Sequence, residues 1–208
     1  MGEKPSRRDQ SRLDKQRRIR EAAAALFRSQ GFEATTTEQI AAQADVAKGT
    51  LFLYAPSKRH LLLLMYEAEL GAVVEQALAE PASGAPADSI AAIFGHFIRL
   101  YERDLDLARR FIQIQLFEPP LGDGAALAAL LGGLIARISA WQAAGIVGRS
   151  VDPALAAHTI FALYLVVLTA WLSGRISAEQ RDAQLRASIA LHWQGLRAPE
   201  QQTSHPPA

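Results

Sequence analysis

Four side chains between positions 48 and 54 could together recognise DNA, because they offer a cation, a hydroxyl group with a methyl, and two aromatic rings. They are Lys48, Thr50, Phe52 and Tyr54. Their spacing lets Leu51 point inward while they face outward. The Thr50 hydroxyl can hydrogen-bond a base or a phosphate, and its methyl group can contact thymine. Gly49, which costs roughly 1 kcal/mol inside a helix, would let the backbone approach a phosphate, although a close crossing of two helices would explain it equally well.

The residues around this segment predict two short helices joined by a tight turn. Thr36 stands three residues before Gln39, the spacing at which a hydroxyl and an amide side chain each satisfy a free backbone N–H. Asp45 tolerates a left-handed backbone and therefore marks the turn, with Val46 as its buried pivot. The second helix, 47–54, is short enough to lie in a major groove about 12 Å wide. A DNA-reading helix-turn-helix is therefore predicted.

The stretch KGTLFLYAPSKRHLL resembles the signature of the TetR family of one-component bacterial regulators, which has the form S-K-G-T-L-Y-x-Y-F-x-S-K. The residues that match directly are Lys48, Gly49, Thr50, Leu51, Tyr54, Ser57 and Lys58. The chain departs from the usual pattern at Asp45, Ala47, Phe52, Leu53 and Ala55. The resemblance covers residues 19–64.

This resemblance implies a role for eight residues in DNA binding. It implies phosphate or sugar contacts for Thr37, Lys48, Thr50, Tyr54 and Lys58. It places Glu38, Gly49 and Phe52 near the base edges. It also implies a second domain that binds a small-molecule effector.

Helical periodicity along the chain predicts an all-α protein of about nine helices, without strand patterns or internal repeats. We expect an N-terminal three-helix head that a connecting helix joins to a C-terminal helical bundle. The expected ranges are a mobile basic arm at 1–11, the helix-turn-helix domain at 12–56, the connecting helix at 57–80, the ligand-binding and dimerisation domain at 81–197, and a disordered tail at 198–208. The alternative for the arm is a contact with DNA.

The net charge of +1 conceals an asymmetry along the chain. Residues 1–60 carry twelve Lys/Arg and seven Asp/Glu, a charge of +5, whereas residues 61–208 carry ten and fourteen, a charge of −4. An electropositive first third suits a polyanion such as DNA, since phosphate neutralisation supplies most non-specific affinity. A solvated basic tail would account for part of the same charge.

One apolar segment is long enough to be compared with a membrane span. Residues 154–173 carry no formal charge and approach the roughly 20 apolar residues that cross a bilayer. Pro153 and Gly174 flank the segment as helix ends, and no hydrophobic targeting signal precedes it. We therefore expect a buried helix and no membrane association. Such a helix needs cover on all sides, which a homodimer through 153–173 and 178–196 would provide.

Aromatic side chains of the central helices could line a pocket, because Phe94, Phe97 and Tyr101 fall at i, i+3 and i+7 and bundle interiors are common ligand sites. Aromatic stripes also form ordinary cores, so this pocket depends on the effector-binding domain that the resemblance implies. The predicted lining is Phe94, Phe97, Tyr101, Phe111, Gln115, Arg137, Trp141, His158 and Phe161. The effector would be mostly apolar.

Residues for catalysis or metal binding are not evident. None of the five histidines has another histidine or a carboxylate at the i+3 or i+4 spacing of a helical metal site. The sequence also lacks a G-x-S-x-G elbow and a phosphate-binding glycine loop. We expect no enzymatic activity, no metal and no cofactor. The absence of cysteine is compatible with a reducing compartment, and a cytoplasmic location is expected.

These observations predict a homodimeric transcriptional regulator, a repressor that a small molecule releases from a palindromic double-stranded DNA operator. Two alternatives use the same scaffold. One is an effector-independent protein that binds DNA or a partner and has a solidly packed second domain. The other is a helical small-molecule enzyme, which would need an acid–base pair inside its cavity.

Overall fold

The computed structural model describes residues 6–82, 84–117 and 124–197, and these ranges contain nine α-helices and one isolated antiparallel bridge, Val147 to Arg197. The helices are α1 (Arg7–Gln30), α2 (Thr37–Gln43), α3 (Lys48–Tyr54), α4 (Lys58–Ala79), α5 (Pro86–Glu102), α6 (Leu105–Phe117), α7 (Ala125–Ala143), α8 (Pro153–Leu172) and α9 (Ala178–Leu196). The predicted all-α class is confirmed. The predicted tail at 198–208 lies outside the described residues.

Helix α1 begins at Arg7, five residues earlier than the head was expected to begin. Ser6 and Asp9 form a capping box, in which the Asp9 backbone N–H donates to the Ser6 hydroxyl at 3.2 Å. Residues 7–11, which were predicted to belong to a mobile arm, are therefore helical. The arm prediction was wrong for these residues because the Ser6–Asp9 capping box satisfies the backbone donors of the first turn, and residues 1–5 lie outside the described ranges.

Local capping also sets the starts of later helices. The Ser57 hydroxyl accepts the backbone N–H of His60 at 3.4 Å at the start of α4. Asp152 accepts the backbone N–H of Ala154 at 2.8 Å before α8. Ser177 forms a capping box with Gln180 before α9. Since a capped end satisfies backbone donors that would otherwise lack partners, these short sequence signals fix where the long helices begin.

The chain forms two compact units. The first contains Met1–Val73 and Phe97–Ala126, and the second contains Val74–His96 and Leu127–Ala208. Helices α4 and α5 therefore contribute to both units, and α7 contributes its first two residues to the first unit. The expected three-part division into head, connecting helix and effector domain stays a prediction about function.

The core of the first unit comes from every helix of the head. Ile19, Phe27, Ile40 and Leu51 are fully buried. Beyond the head, the Tyr66 ring stacks on Phe111, with 4.3 Å between ring centroids. Burial of apolar side chains from sequence-distant helices is what holds such short helices together, since helices of seven residues are marginal alone.

The second unit is built around α8, which packs against α9. The buried face of α8 includes Ile160, Tyr164 and Trp171. Trp193 of α9 meets Trp141 of α7 edge to face, with 5.2 Å between ring centroids. The predicted buried helix is therefore buried along one face, and its other face is exposed.

Candidate DNA-binding surface and effector region

Helix α2 and the turn that follows it have the geometry that the sequence predicted. The Thr36 backbone N–H donates to Gln39 Oε1 at 2.8 Å, and the Gln39 backbone N–H donates to the Thr36 hydroxyl at 3.2 Å. Asp45 adopts the left-handed region, with φ of 52°. Val46 is only half-buried, and Ala44 is the buried residue next to the turn. The prediction of a buried Val46 pivot was therefore wrong.

Helix α3 presents one buried residue inward and leaves the rest accessible. Leu51 is fully buried, whereas Phe52 is exposed and Thr50 and Tyr54 are half-buried. Ala47 occupies the N-cap position without a side-chain hydrogen bond. The helix depends on packing through Leu51 rather than on a cap for its position.

Two of the residues assigned to DNA by resemblance pair with each other. Lys48 Nζ, at the start of α3, forms an ion pair with Glu38 Oε1 in the first turn of α2. This hydrogen bond, together with bonds from the Glu38 backbone and Thr37, lowers the pKa of Glu38 to about 2. Glu38 is therefore ionised throughout the physiological range. Lys48 must leave or share this carboxylate to contact a phosphate.

Lys58 belongs to a cluster that joins the head to α6, which we call the Phe32 cluster and define as Phe32, Glu33, Lys58 and Arg110. Lys58 Nζ donates to the Glu33 carbonyl at 3.0 Å and lies 4.5 Å from the centroid of the Phe32 ring. Arg110 lies 5.1 Å from the same centroid and pairs with the Glu33 carboxylate at 3.2 Å. Both cations therefore converge on the segment between α1 and α2.

The sequence interpretation did not single out Phe32, Glu33 or Arg110 as a group. Five helices begin between Glu33 and Arg110 in the chain, and no periodic pattern relates the two residues. A groove of about 660 Å³ runs beside the cluster, between the end of α1 and the start of α6. Arg109 and Asp106 also line this groove.

The nine residues predicted to line a pocket divide between the two units. Phe97, Tyr101, Phe111 and Gln115 belong to the first unit, and Phe94, Arg137, Trp141, His158 and Phe161 belong to the second. Within the first unit, Tyr101 and Phe111 are buried and both flank Tyr66. Within the second, the buried Phe94 ring stacks on the Tyr164 ring, with 4.4 Å between ring centroids. The centroid of the Phe161 ring lies 6.0 Å from that of the Tyr164 ring.

The polar members of the predicted set have other surroundings. Arg137 donates to the Leu78 and Glu80 carbonyls at 3.2 and 2.8 Å and to the Ser89 hydroxyl at 3.1 Å, so it caps the end of α4. Gln115 is exposed. His158 is also exposed, and its Nδ1 lies 2.7 Å from the carbonyl of Ala154 in its own helix. Aromatic residues of the predicted set therefore pack within each unit, whereas Arg137 and His158 contact backbone carbonyls and Gln115 is exposed.

Among the described residues, no group of three or more His, Cys, Asp or Glu side chains could hold a metal ion.

A capped short helix, a left-handed turn and a second short helix with an accessible outer face define the molecule as a helix-turn-helix DNA-binding protein with an all-helical remainder. Its electropositive N-terminal third suits the same partner.

Comparisons with known proteins agree with this class. The family model of the bacterial regulatory proteins of the tetR family matches residues 19–65. The transcriptional repressor KstR of Rhodococcus jostii is 30% identical over 190 residues, which cover 90% of this chain and 87% of that protein. KstR of Mycolicibacterium smegmatis is 27% identical over 88% of both chains. The crystal structure of Thermus thermophilus FadR, a TetR-family repressor in complex with lauroyl-CoA, has a TM-score of 0.68 and 25% identity, and the match covers 93% of this chain and all of that one.

The chain belongs to the TetR family of bacterial transcriptional regulators. It is a DNA-binding transcriptional repressor of the kind that a small-molecule ligand regulates. The family consists of regulators rather than enzymes, and its members bind DNA operators as dimers.

Within the described ranges of the chain, helices α7 and α8 are long and apolar enough to cross a membrane. Core helices of soluble proteins have the same length and composition, and TetR-family repressors are soluble cytoplasmic proteins. Family membership therefore favours packed helices over membrane spans.

Proposed function

We propose that this protein is a cytoplasmic homodimer that binds a palindromic double-stranded DNA operator and is released from it by a mostly apolar small molecule. The observation that carries the proposal is the accessible outer face of α3, held by the buried Leu51 within an electropositive head. A helix of this length fits the major groove. No catalytic activity and no cofactor are part of the proposal.

The dimer would form through residues 153–173 and 178–196. Four residues of α8 form an exposed stripe at i, i+3, i+7 and i+11, which we call the α8 stripe. It consists of Leu155, His158, Ala162 and Val166. Leu155 and Val166 are 66% and 63% exposed, and Leu191 of α9 is 71% exposed. These exposed apolar side chains on adjacent helices support an interface with a second copy of the chain, because such an interface would remove their surface from water.

Such a dimer would set the distance between the two α3 helices. Successive major grooves on one side of B-DNA are about 34–36 Å apart, so a dimer reads a palindromic operator only when its heads match this spacing. The effector would bind more tightly to a dimer with a different spacing. It would then weaken operator binding only by the difference between its affinities for the two states.

For DNA contacts we retain the eight residues implied by the family resemblance. They are Thr37, Glu38, Lys48, Gly49, Thr50, Phe52, Tyr54 and Lys58. The exposure of Gly49 and Phe52 supports contacts with base edges. Lys58 also donates a hydrogen bond to the Glu33 carbonyl and contacts the Phe32 ring. These contacts support a second role, in which Lys58 holds the α1–α2 segment while it faces the phosphate backbone.

A Thr50→Ala variant is expected to bind the operator about fivefold to a hundredfold more weakly, because each of the two subunits loses one net hydrogen bond of about 0.5–1.5 kcal/mol. Fluorescence anisotropy with labelled operator DNA would measure the loss, and size-exclusion chromatography would show an intact dimer. Ser139→Ala is the matched control, since it removes an exposed hydroxyl from α7. Unchanged affinity for Thr50→Ala, or a loss of the dimer, would contradict the role given to α3.

For the effector we propose an acyl-CoA thioester, whose acyl chain would be the apolar part that the aromatic residues contact, as the first class to test. The lauroyl-CoA that is bound to Thermus thermophilus FadR supports this choice. The buried rings of Phe94, Phe97, Tyr101 and Phe111 and the half-buried Phe161 and Trp141 are the proposed apolar contacts within their respective units. The three polar residues are weaker candidates for effector contacts. Arg137 is bonded to the end of α4, and Gln115 and His158 are exposed.

Lauroyl-CoA at 100 times its Kd is expected to stabilise the protein by about 2.7 kcal/mol. For a chain of this size that corresponds to a rise in Tm of roughly 5–10 °C. A thermal-shift assay with lauroyl-CoA, laurate and coenzyme A alone would separate the acyl chain from the nucleotide. A broad lipophilic library would extend the test to other apolar effectors.

Ligands that raise Tm would then be tested for release of operator DNA. A hit that raises Tm without releasing DNA would argue against the proposed coupling. No shift with any compound would contradict the effector proposal and favour an effector-independent regulator. Side-chain burial supports this second candidate, the effector-independent regulator. Phe94 is fully buried, and Phe97, Tyr101 and Phe111 are almost fully buried.

The Phe32 cluster supports a route by which effector binding reaches the head. Arg110 of α6 holds the α1–α2 segment through an ion pair with Glu33 and a contact with the Phe32 ring, and Lys58 of α4 contacts the same ring. A shift of α6 would therefore act on the segment directly before the helix-turn-helix. In the proposed mechanism, the effector favours a position of α6 in which this segment and the DNA-reading helix are differently placed.

A further inference from the structure

The outermost side of α3 carries an apolar side chain. Each residue of an α-helix turns the direction of its side chain by about 100°, so Gly49 and Leu53 each point about 160° away from the buried Leu51. Leu53 is 85% exposed, more than any other large apolar residue in the part of the chain that the structure describes. The sequence interpretation noted Leu53 only as a departure from the family pattern and gave it no role.

Gly49 adds a notch beside Leu53 on the same side of the helix. A Cβ atom built on Gly49 would have no neighbouring atom within 4 Å, so packing within the described chain does not require glycine there. A close crossing of helices, which the sequence left open, therefore does not explain this residue. A surface that approaches α3 from outside would explain it.

Few hydrogen-bonding groups accompany this apolar surface. The outer half of α3 contains Phe52, Gly49, Leu53 and Thr50, and its hydrogen-bonding side chain is the Thr50 hydroxyl. The nearest cation, Lys48, is paired with Glu38. Most of the surface that would enter the groove can therefore recognise a base only by apolar contact.

In the major groove, apolar contact distinguishes one base from the others. The 5-methyl group of thymine is the apolar group among the major-groove edges, which otherwise present donors and acceptors. We propose that Leu53 determines operator specificity by packing against thymine methyl groups in each half-site, while Gly49 allows the close approach that this contact requires. This proposal rests on operator binding by α3.

Replacement of thymine by deoxyuridine tests the proposal, because it removes only the methyl group. An operator is first selected from random duplexes by binding to the wild-type protein, and each thymine of a half-site is then replaced in turn. We expect wild-type affinity to fall about fourfold at one or two positions, the value of one buried methyl group. Leu53→Ala should bind the thymine operator more weakly and show no further loss with deoxyuridine at those positions.

Two further variants complete the test. Leu116→Ala, which shortens an exposed leucine on α6, should keep the full sensitivity to deoxyuridine. Leu53→Gln should shift selection from thymine to adenine at the same position, because glutamine makes a bidentate contact with adenine. It also provides an independent test if Leu53→Ala is unstable.

Equal losses for wild type and Leu53→Ala at every deoxyuridine position would overturn the proposal, as would a wild type that is insensitive at all of them. An unchanged operator preference in Leu53→Gln would also count against it. If no duplex is selected by the wild-type protein, operator binding itself fails, which is a different result from selection of a duplex without methyl sensitivity.

Discussion

A Val166→Glu variant of this repressor is expected to be monomeric and to lose at least a hundredfold in operator affinity. Val166 lies in the α8 stripe and is 63% exposed in the single chain. In the proposed dimer the glutamate of each copy would be buried against apolar surface, and an unpaired buried charge costs several kcal/mol. A monomer also loses the second half-site contact, and linkage of two sites typically raises affinity by about 10²–10⁴.

Size-exclusion chromatography with light scattering would measure the mass of Val166→Glu, and anisotropy would measure its binding to full and half operators. Leu127→Glu is the matched control, since Leu127 is an exposed leucine of α7 outside the α8 stripe. It should remain dimeric. A dimeric Val166→Glu with wild-type affinity would show that the two copies meet elsewhere.

A Leu51→Ala variant is expected to unfold the head and abolish operator binding. Leu51 is fully buried and is the one buried residue of α3. Its truncation removes apolar contacts and leaves a cavity, which together cost about 2–5 kcal/mol. A three-helix head has few other contacts with which to offset this loss. Hydrogen exchange of α2 and α3 and anisotropy with operator DNA would report the effect.

The control for Leu51→Ala is Leu53→Ala, which makes the same chemical change two residues away. Leu53 is 85% exposed, so its truncation should change stability by no more than about 0.5 kcal/mol. Both variants should stay dimeric, because the proposed interface lies in the second unit. Equal stability of the two variants would show that Leu51 does not anchor α3.

Both lysines that are assigned to DNA make contacts within the head. Lys48 pairs with Glu38, and Lys58 donates to the Glu33 carbonyl. DNA binding must therefore exchange or share these contacts, so the phosphate contribution to affinity is smaller than a count of head cations suggests. These two contacts also connect the lysines that face DNA with residues that hold the head in place.

Local sequence signals predicted the helices well because their causes lie within a few residues. Thr36 and Gln39 form the predicted capping box, and Asp45 adopts the predicted left-handed backbone. The start of α1 was equally local, since Ser6 and Asp9 are three residues apart. It differs from the predicted start because this capping box begins a helix in a segment whose composition favours a mobile arm. The family resemblance, which residues of one short segment carry, was confirmed by the family model that matches residues 19–65.

Tertiary structure alone decided the partners of the charged and polar side chains. Arg137 caps α4 through carbonyls that lie 57 and 59 residues earlier in the chain, and Lys58 bonds a carbonyl 25 residues away. His158 was expected in a pocket but lies on the exposed α8 stripe. Helical spacing gives the relative directions of side chains on one helix, whereas packing decides which direction faces the core. The sequence therefore determined the helices, their caps and the class of protein, and the packing of distant helices decided which of the predicted site residues meet.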